Sequence, residues 1–161
     1  MKIIILFESF FGNTEAVARE MGNINLTDDD ELEIRNVTGV SWDKIPDVDI
    51  LIVGSPTRGF QPCENTRKFL RSIPPEGLKG IKVAAFDTRI PSSEIDSRAL
   101  RFIVKAGGYA AKRIARAMKK KGGDQIAPSE GFNVTGEKGP LADGEKERAA
   151  KWVQAIIDRR V

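Results

Sequence analysis

Residues able to do chemistry gather in three short stretches, each directly after an apolar run. The first, "ESFFGNT" at 8–14, follows "KIIILF" and sets Ser9, Asn13 and Thr14 around Gly12. A turn entering a helix presents unpaired main-chain N–H groups and the positive end of the helix dipole, a natural seat for a phosphate. Gly12 allows close approach of the backbone, the hydroxyls and the amide add donors, and no lysine is needed. A hydrogen bond to a charged oxygen contributes about 1.5–3 kcal/mol. The dipole contributes about 0.3–1 kcal/mol, rising to about 2 when partly buried, so the donors dominate. The plainer alternative makes Ser9 or Asn13 a simple N-cap. Phe10 and Phe11 are costly at a solvent-facing bend unless something covers them.

The second stretch, "GSPTRGFQPC" at 54–63, supplies Ser55, Pro56, Thr57, Arg58, Gly59 and Phe60; the third, "DTRIPSSE" at 87–94, supplies Asp87, Thr88 and Arg89. Gly59 and Gln61-Pro62 keep Phe60 out of a regular element, so its ring packs a loop or covers a ligand. Arg58 faces the same ligand or points to water. Asp87 caps the following turn or bonds a ligand's edge. Cys63, the single cysteine, reads as a small buried residue at the start of a helix.

Other chemistries are excluded. The chain contains no histidine, which removes His-based triads, His general bases and the commonest metal sites, so no metal is expected. G-x-x-x-x-G-K-[S/T] is absent, and no G-x-G-x-x-G follows the first apolar run. A response-regulator receiver would need an acidic pair where Glu8 stands alone, and an Asp where Gly54-Ser55 end the third strand. A small tyrosine phosphatase needs Cys-x5-Arg, but Cys63 has Arg67 and then Phe69 after it.

These stretches must be positioned by the apolar runs that precede them. Runs at 2–7, 48–54 and 81–87 are nearly continuous, as in a parallel sheet covered on both faces. The stretch 31–37 alternates and 124–134 carries Pro128, so both read as edge strands. Helical periodicity occupies 13–23, 62–73, 97–121 and 144–159. The third helix has a kink or break expected at Gly107–Gly108. Its apolar positions include Phe102, Ile103, Ala106, Ala110, Ile114, Ala117 and Met118, and Trp152 falls on the apolar stripe of the last helix. Right-handed crossovers then give an α/β three-layer sandwich, a five-stranded parallel sheet of order 2-1-3-4-5. Ligands bind such sheets beyond the strands' carboxyl ends, between the first and third strands. That is where the three polar loops fall.

At 161 residues, 40% hydrophobic and 30% charged, one globular domain spanning 1–161 is expected. No apolar run approaches a bilayer span, there is no signal-peptide layout, and one cysteine points to the cytoplasm. A net charge of +3 without interleaved aromatics argues against nucleic acid. The basic cluster at 112–121 is a solvated helix face with cations near its C-terminus, or a docking patch for an acidic partner or phosphate.

The motif "SxFGNT" after the first strand resembles the flavodoxin phosphate loop, usually written [S/T]-x-T-G-x-T, and "GSPTRGF" resembles the flavin-contacting loop of flavodoxin-like proteins. The correspondence runs through "KVAAFDTR" to the last helix. The resemblance implies flavin mononucleotide (FMN), with Ser9, Gly12, Asn13 and Thr14 around the phosphate, and Ser55–Phe60 and Asp87–Ile90 flanking the ring. Phe11 stands where the family has Thr, and the loop after the fourth strand lacks the Tyr that commonly stacks on the ring. Phe60 or the guanidinium planes of Arg58 and Arg89 are the substitutes. The implied function is electron transfer through a non-covalently bound flavin, with a redox partner protein. The alternative is an NAD(P)H-dependent quinone or FMN oxidoreductase on the same fold, with a nicotinamide nucleotide as partner. A module of a larger electron-transfer assembly, a sheet that has lost its flavin, and self-association stay open.

Overall fold

The computed structural model describes residues 1–95 and 97–159. Six strands, β1 (Lys2–Phe7), β2 (Glu31–Asn36), β3 (Ile50–Pro56), β4 (Lys82–Arg89), β5 (Asp124–Gln125) and β6 (Glu130–Asn133), form one parallel sheet. Its order is β2-β1-β3-β4-β5, with β6 also paired to β4. The helices are α1 (Asn13–Glu20), α2 (Glu64–Ser72), α3 (Arg98–Gly107), α4 (Ala110–Lys120) and α5 (Glu145–Asp158).

Side chains alternate across a strand. Ile3, Ile5, Ile52 and Phe86 therefore pack on one face with Val17 of α1, Met21 at its C-terminal end, and Val153 and Ile156 of α5. Ile4, Leu6, Leu51 and Val53 pack on the other with Phe69 and Leu70 of α2 and Ile114 and Met118 of α4. Two covered faces explain why β1, β3 and β4 are written almost wholly in hydrocarbon. β2, at the sheet's edge, is only half-buried and keeps its polar alternation.

Two expectations need correction. The expected fifth strand, 124–134, is two pieces. β5 pairs with 82–83 and β6 with 86–89, leaving 126–129 on one side opposite 84–85 on the other. Two extra residues must bulge there, and Pro128, lacking an N–H, sits within the bulge. The expected helix 97–121 is likewise two helices, broken around Gly108 (φ +75°). Its expected apolar stripe includes Ile103 and Ala106, whose side chains lie outside the described residues. Trp152 is half-buried and joins the core through edge-on contacts to Phe86 and Phe132, at 6.3 and 6.2 Å between ring centroids.

One close approach sets the geometry where β3 nears its carboxyl end. A Cβ on Gly54 would sit 2.1–2.4 Å from the Phe86 ring, inside any real contact distance. The ring is fully buried and has nowhere to move. Gly54→Ala is therefore expected to cost about 1–3 kcal/mol through overpacking. Urea denaturation checks this, and an unchanged midpoint would show that the ring can yield.

Candidate functional site

The loops after β1, β3 and β4 and the segment after β6 meet at the strands' carboxyl ends around an open cavity of about 270 Å³. Ser9, Phe10, Phe11, Asn13 and Thr14 line it from the first loop, Pro56, Thr57, Arg58 and Gly59 from the second, and Thr88 and Arg89 from the third.

Gly12 is the N-cap of α1 at φ +90° and has no side chain to cap the helix's first amides. Ser9 Oγ reaches over to accept the Glu15 N–H at 3.2 Å. Among the described residues, the main-chain N–H groups of Phe10 to Thr14 have no acceptor. Below them Thr14 and Thr88, both buried, share one hydroxyl–hydroxyl hydrogen bond of 2.7 Å. One hydroxyl donates and the other accepts, so the pair keeps one O–H uncommitted. Asn13 is turned aside. Its Nδ2 donates to the Lys138 carbonyl at 3.2 Å, and its amide lies where a Cβ on Gly139 would fall.

The neighbouring helix starts are treated differently. At α2, the buried Glu8 carboxylate accepts from the Thr66 N–H and Oγ1, each at 2.9 Å, and from Asn65 Nδ2 at 3.0 Å. At α4, Thr57 Oγ1 accepts the Ala110 N–H at 3.0 Å and Asp87 Oδ2 the Ala111 N–H at 2.8 Å. The protein supplies its own oxygens to those two N-termini, whereas at α1 only the Glu15 N–H is so capped and the donors from Phe10 to Thr14 stay open.

The second loop is held by a tight hairpin. Arg58 and Gln61 exchange both main-chain hydrogen bonds, at 3.0 Å, with Gly59 (φ +55°) and Phe60 (φ +61°) between them. Two left-handed residues in succession make a type I′ turn, which explains the glycine. The Arg58 guanidinium then lies 4.1 Å from the centroid of Phe10 and 5.8 Å from that of Phe11. This cation–π contact partly covers the two aromatics of the bend, which are still 60% and 44% exposed.

Four sequence-predicted residues do not line the cavity. Ser55 is fully buried: its Oγ accepts the Cys63 N–H at 2.8 Å and donates to the Pro56 carbonyl at 3.0 Å. Phe60 is half-buried at the second left-handed position of the hairpin turn. Gly12 contributes its backbone at the loop crest. Asp87 caps the distant start of α4 rather than the following turn, fully buried beneath the floor and bonded by Arg89 Nε and Nη2 at 2.6 and 2.8 Å. Burial pushes its carboxyl up from the ordinary value; Arg89 and the Ala111 N–H oppose this. Arg89 in turn lies 3.9 Å over the Tyr109 ring, so its guanidinium belongs to the wall. Cys63 is buried, and desolvation pushes its thiol up, away from reactivity.

Ile90, expected beside the ring, also lines the cavity, as do Val134 and Glu137, which were not expected there. Their signal was topological: Val134 and Glu137 follow a strand beside β4, so they arrive at the same sheet edge as the three polar loops. Among the described residues, no helix is long and apolar enough to cross a membrane and no cluster suits a metal ion.

No protein-family model matches the chain. Solved structures do resemble it. Flavodoxin 1 from Bacillus cereus superposes with a TM-score of 0.76 at 17% identity over 98% of both chains. The fold is flavodoxin-like. A flavodoxin from the domain Archaea gives 0.70 at 20% identity over 99% of this chain and 98% of that one. The flavodoxin-like fold also occurs inside a larger protein, the rubredoxin oxygen:oxidoreductase of Desulfovibrio gigas. There 98% of this chain matches 36% of the other, with a TM-score of 0.68 and 20% identity.

Proposed function

We propose that this chain binds FMN at the α1 loop and transfers electrons through it. The observation that carries the proposal is the open row of amides from Phe10 to Thr14, beside two helix N-termini that the protein caps with its own oxygens. A terminal phosphate suits this row. Each amide offers a charge-assisted hydrogen bond, and the spare hydroxyl of the Thr14–Thr88 pair offers another. The absence of a Thr at Phe11 removes one side-chain donor and leaves the main-chain donors intact.

Bound flavin would supply the redox chemistry, accepting and releasing one or two electrons. The protein's part is to hold and orient it. Thr57, Arg58 and Gly59 form one wall, rigid because the hairpin and the α4 cap fix both ends of that loop. Thr88 and Arg89 form the other, fixed by the Asp87 pair. Exposed Phe10, Phe11 and Ile90 rim the opening with apolar surface that a flat ring could cover. Arg58, with no carboxylate partner among the described residues, places a cation at the rim, where it favours a reduced, negatively charged ring.

The electrons would be exchanged with a partner protein, in the cytoplasm, where the lone Cys63 stays reduced. Titrating FMN with the purified protein is expected to quench flavin fluorescence to a saturable endpoint at one flavin per chain. No quenching, with no heat by calorimetry, would refute the proposal. Steady-state oxidation of NADPH with a quinone acceptor would move the assignment to the nicotinamide-dependent oxidoreductase.

A further inference from the structure

A second surface feature lies on the α2–α4 side of the sheet. A groove of about 560 Å³ between these helices has an apolar floor that includes Pro62, Leu70 and Ala117. Arg67 and Arg71 line it from α2, and Arg113, Lys120 and Lys121 from α4 and its end. No carboxylate lines it, and among the described residues none of these five cations has an ion-pair partner. Arg67 Nη1 donates to Gln61 Oε1 at 3.3 Å and Lys121 Nζ to the Ile73 carbonyl at 2.5 Å. Arg113 Nε is buried without an acceptor, so the charge that Arg113 brings to the groove is unneutralised.

A solvated face does not account for this. On α1 and α2 the cations are interleaved with acids, as in Glu15–Arg19 and Glu64–Lys68. α4 carries no acid at all, and Lys112, Arg116 and Lys120 repel one another at successive i, i+4 spacings. The helix dipole favours only the cations of the last turn, Lys119 and Lys120. The basic surface continues on the other flank of α4, where Lys112, Arg116 and Lys119 line an adjoining cleft.

The dimensions select the ligand. Arg113 and Lys120 stand about 10 Å apart along the helix axis, and with Arg67, Arg71 and Lys121 they spread five cations along the groove. The groove therefore calls for several anionic groups in a row, with something apolar for the floor. No aromatic side chain lines it to stack a nucleic-acid base. We propose that the α2–α4 groove docks an acidic segment of a partner protein, anchored by an apolar side chain between its carboxylates. Gln61 closes the hairpin whose Arg58 and Gly59 line the first cavity, so a partner seated here would lie beside that cavity. The docking rests on charge and shape and does not depend on flavin binding.

The test uses a fluorescent peptide rich in Glu and Asp with one central leucine, followed by anisotropy. Binding is expected at low salt and lost at high salt. Arg71→Glu with Arg113→Glu should weaken it about tenfold. Arg67→Glu with Lys120→Glu should do the same while leaving the buried Arg113 Nε in place. Lys146→Glu with Lys151→Glu on α5, across the sheet, changes the net charge equally and should leave affinity within about twofold. Replacing the peptide's leucine with serine should weaken binding. Absence of binding, equal weakening by the α5 pair, or tighter groove-dependent binding of a single-stranded oligonucleotide would each overturn the proposal. Flavin fluorescence in the same samples reports the other site separately.

Discussion

Asp87→Ala is expected to lower unfolding stability by about 3 kcal/mol at neutral pH, the lower end of the range for breaking a buried ion pair. The carboxylate is fully buried and accepts three hydrogen bonds, two from Arg89 and one from the Ala111 N–H. Its removal strands a guanidinium packed against Tyr109 and Gly131, although Arg89, 23% exposed, still reaches water. The start of α4 loses a cap as well. Removing both charges together, as Asp87→Leu with Arg89→Leu, should recover much of the loss, since the uncompensated charge is then gone. A loss under about 1 kcal/mol for the single variant would show that the pair does not hold this wall.

The pH profile gives an independent signature. Burial raises the Asp87 pKa above its ordinary value of 3.8, and Arg89 opposes this only in part. From 3.8 upward to the folded-state pKa, the native protein keeps a proton that the unfolded chain has released. The unfolded state binds fewer protons in that window, so this group's contribution to stability falls as pH rises through it. Asp87→Ala lacks the component. Its deficit should be widest at the acid side and narrow as pH is raised, in chemical denaturation series compared at matched ionic strength. A deficit independent of pH would mean that Asp87 titrates normally.

The contrast between these groups shows what a sequence carries and what it does not. β1, β3 and β4 were legible because burial on both faces leaves little but hydrocarbon, and their order follows from crossover handedness. The three loops were legible because polar and aromatic residues crowd where a bare connection needs few. The partnerships were not. Nothing local distinguishes Asp87 as a cap for α4 from Asp87 as a ligand contact, because its partner Ala111 is 24 residues away. Glu8 reads as the polar residue ending a strand, yet its acceptor capacity is taken by Asn65 and Thr66, brought near only by the β1–β3 pairing. Phe60 looked available because a glycine precedes it. In the structure it holds the second left-handed position of the turn and does not line the cavity. The split fifth strand escaped detection because a bulge depends on register with β4, which a single strand does not record.

Gly12→Val is expected to weaken FMN binding by about 10²–10⁴-fold with little loss of fold stability. The substitution separates conformation from packing. A Cβ at this position meets no atom within 4 Å beyond its chain neighbours, so the branch point of valine has room. The cost lies in the torsion. Gly12 sits at φ +90°, and a β-branched residue there is a true outlier, at about 1–2 kcal/mol for the left-handed backbone. The Gly12 carbonyl is held by the Ala16 N–H at 3.0 Å, but the N–H groups from Phe10 to Thr14 have no acceptor among the described residues, so the peptide plane between Phe11 and Gly12 can turn to relieve that strain. Turning the plane redirects the amides that the phosphate would need. Loss of two charge-assisted bonds at about 1.5–3 kcal/mol each amounts to about 3–6 kcal/mol, which is the stated change in Kd. Calorimetric titration with FMN, alongside a thermal melt, reads both quantities. A variant that melts like the parent and binds within about threefold of it would place the phosphate somewhere other than the α1 amides.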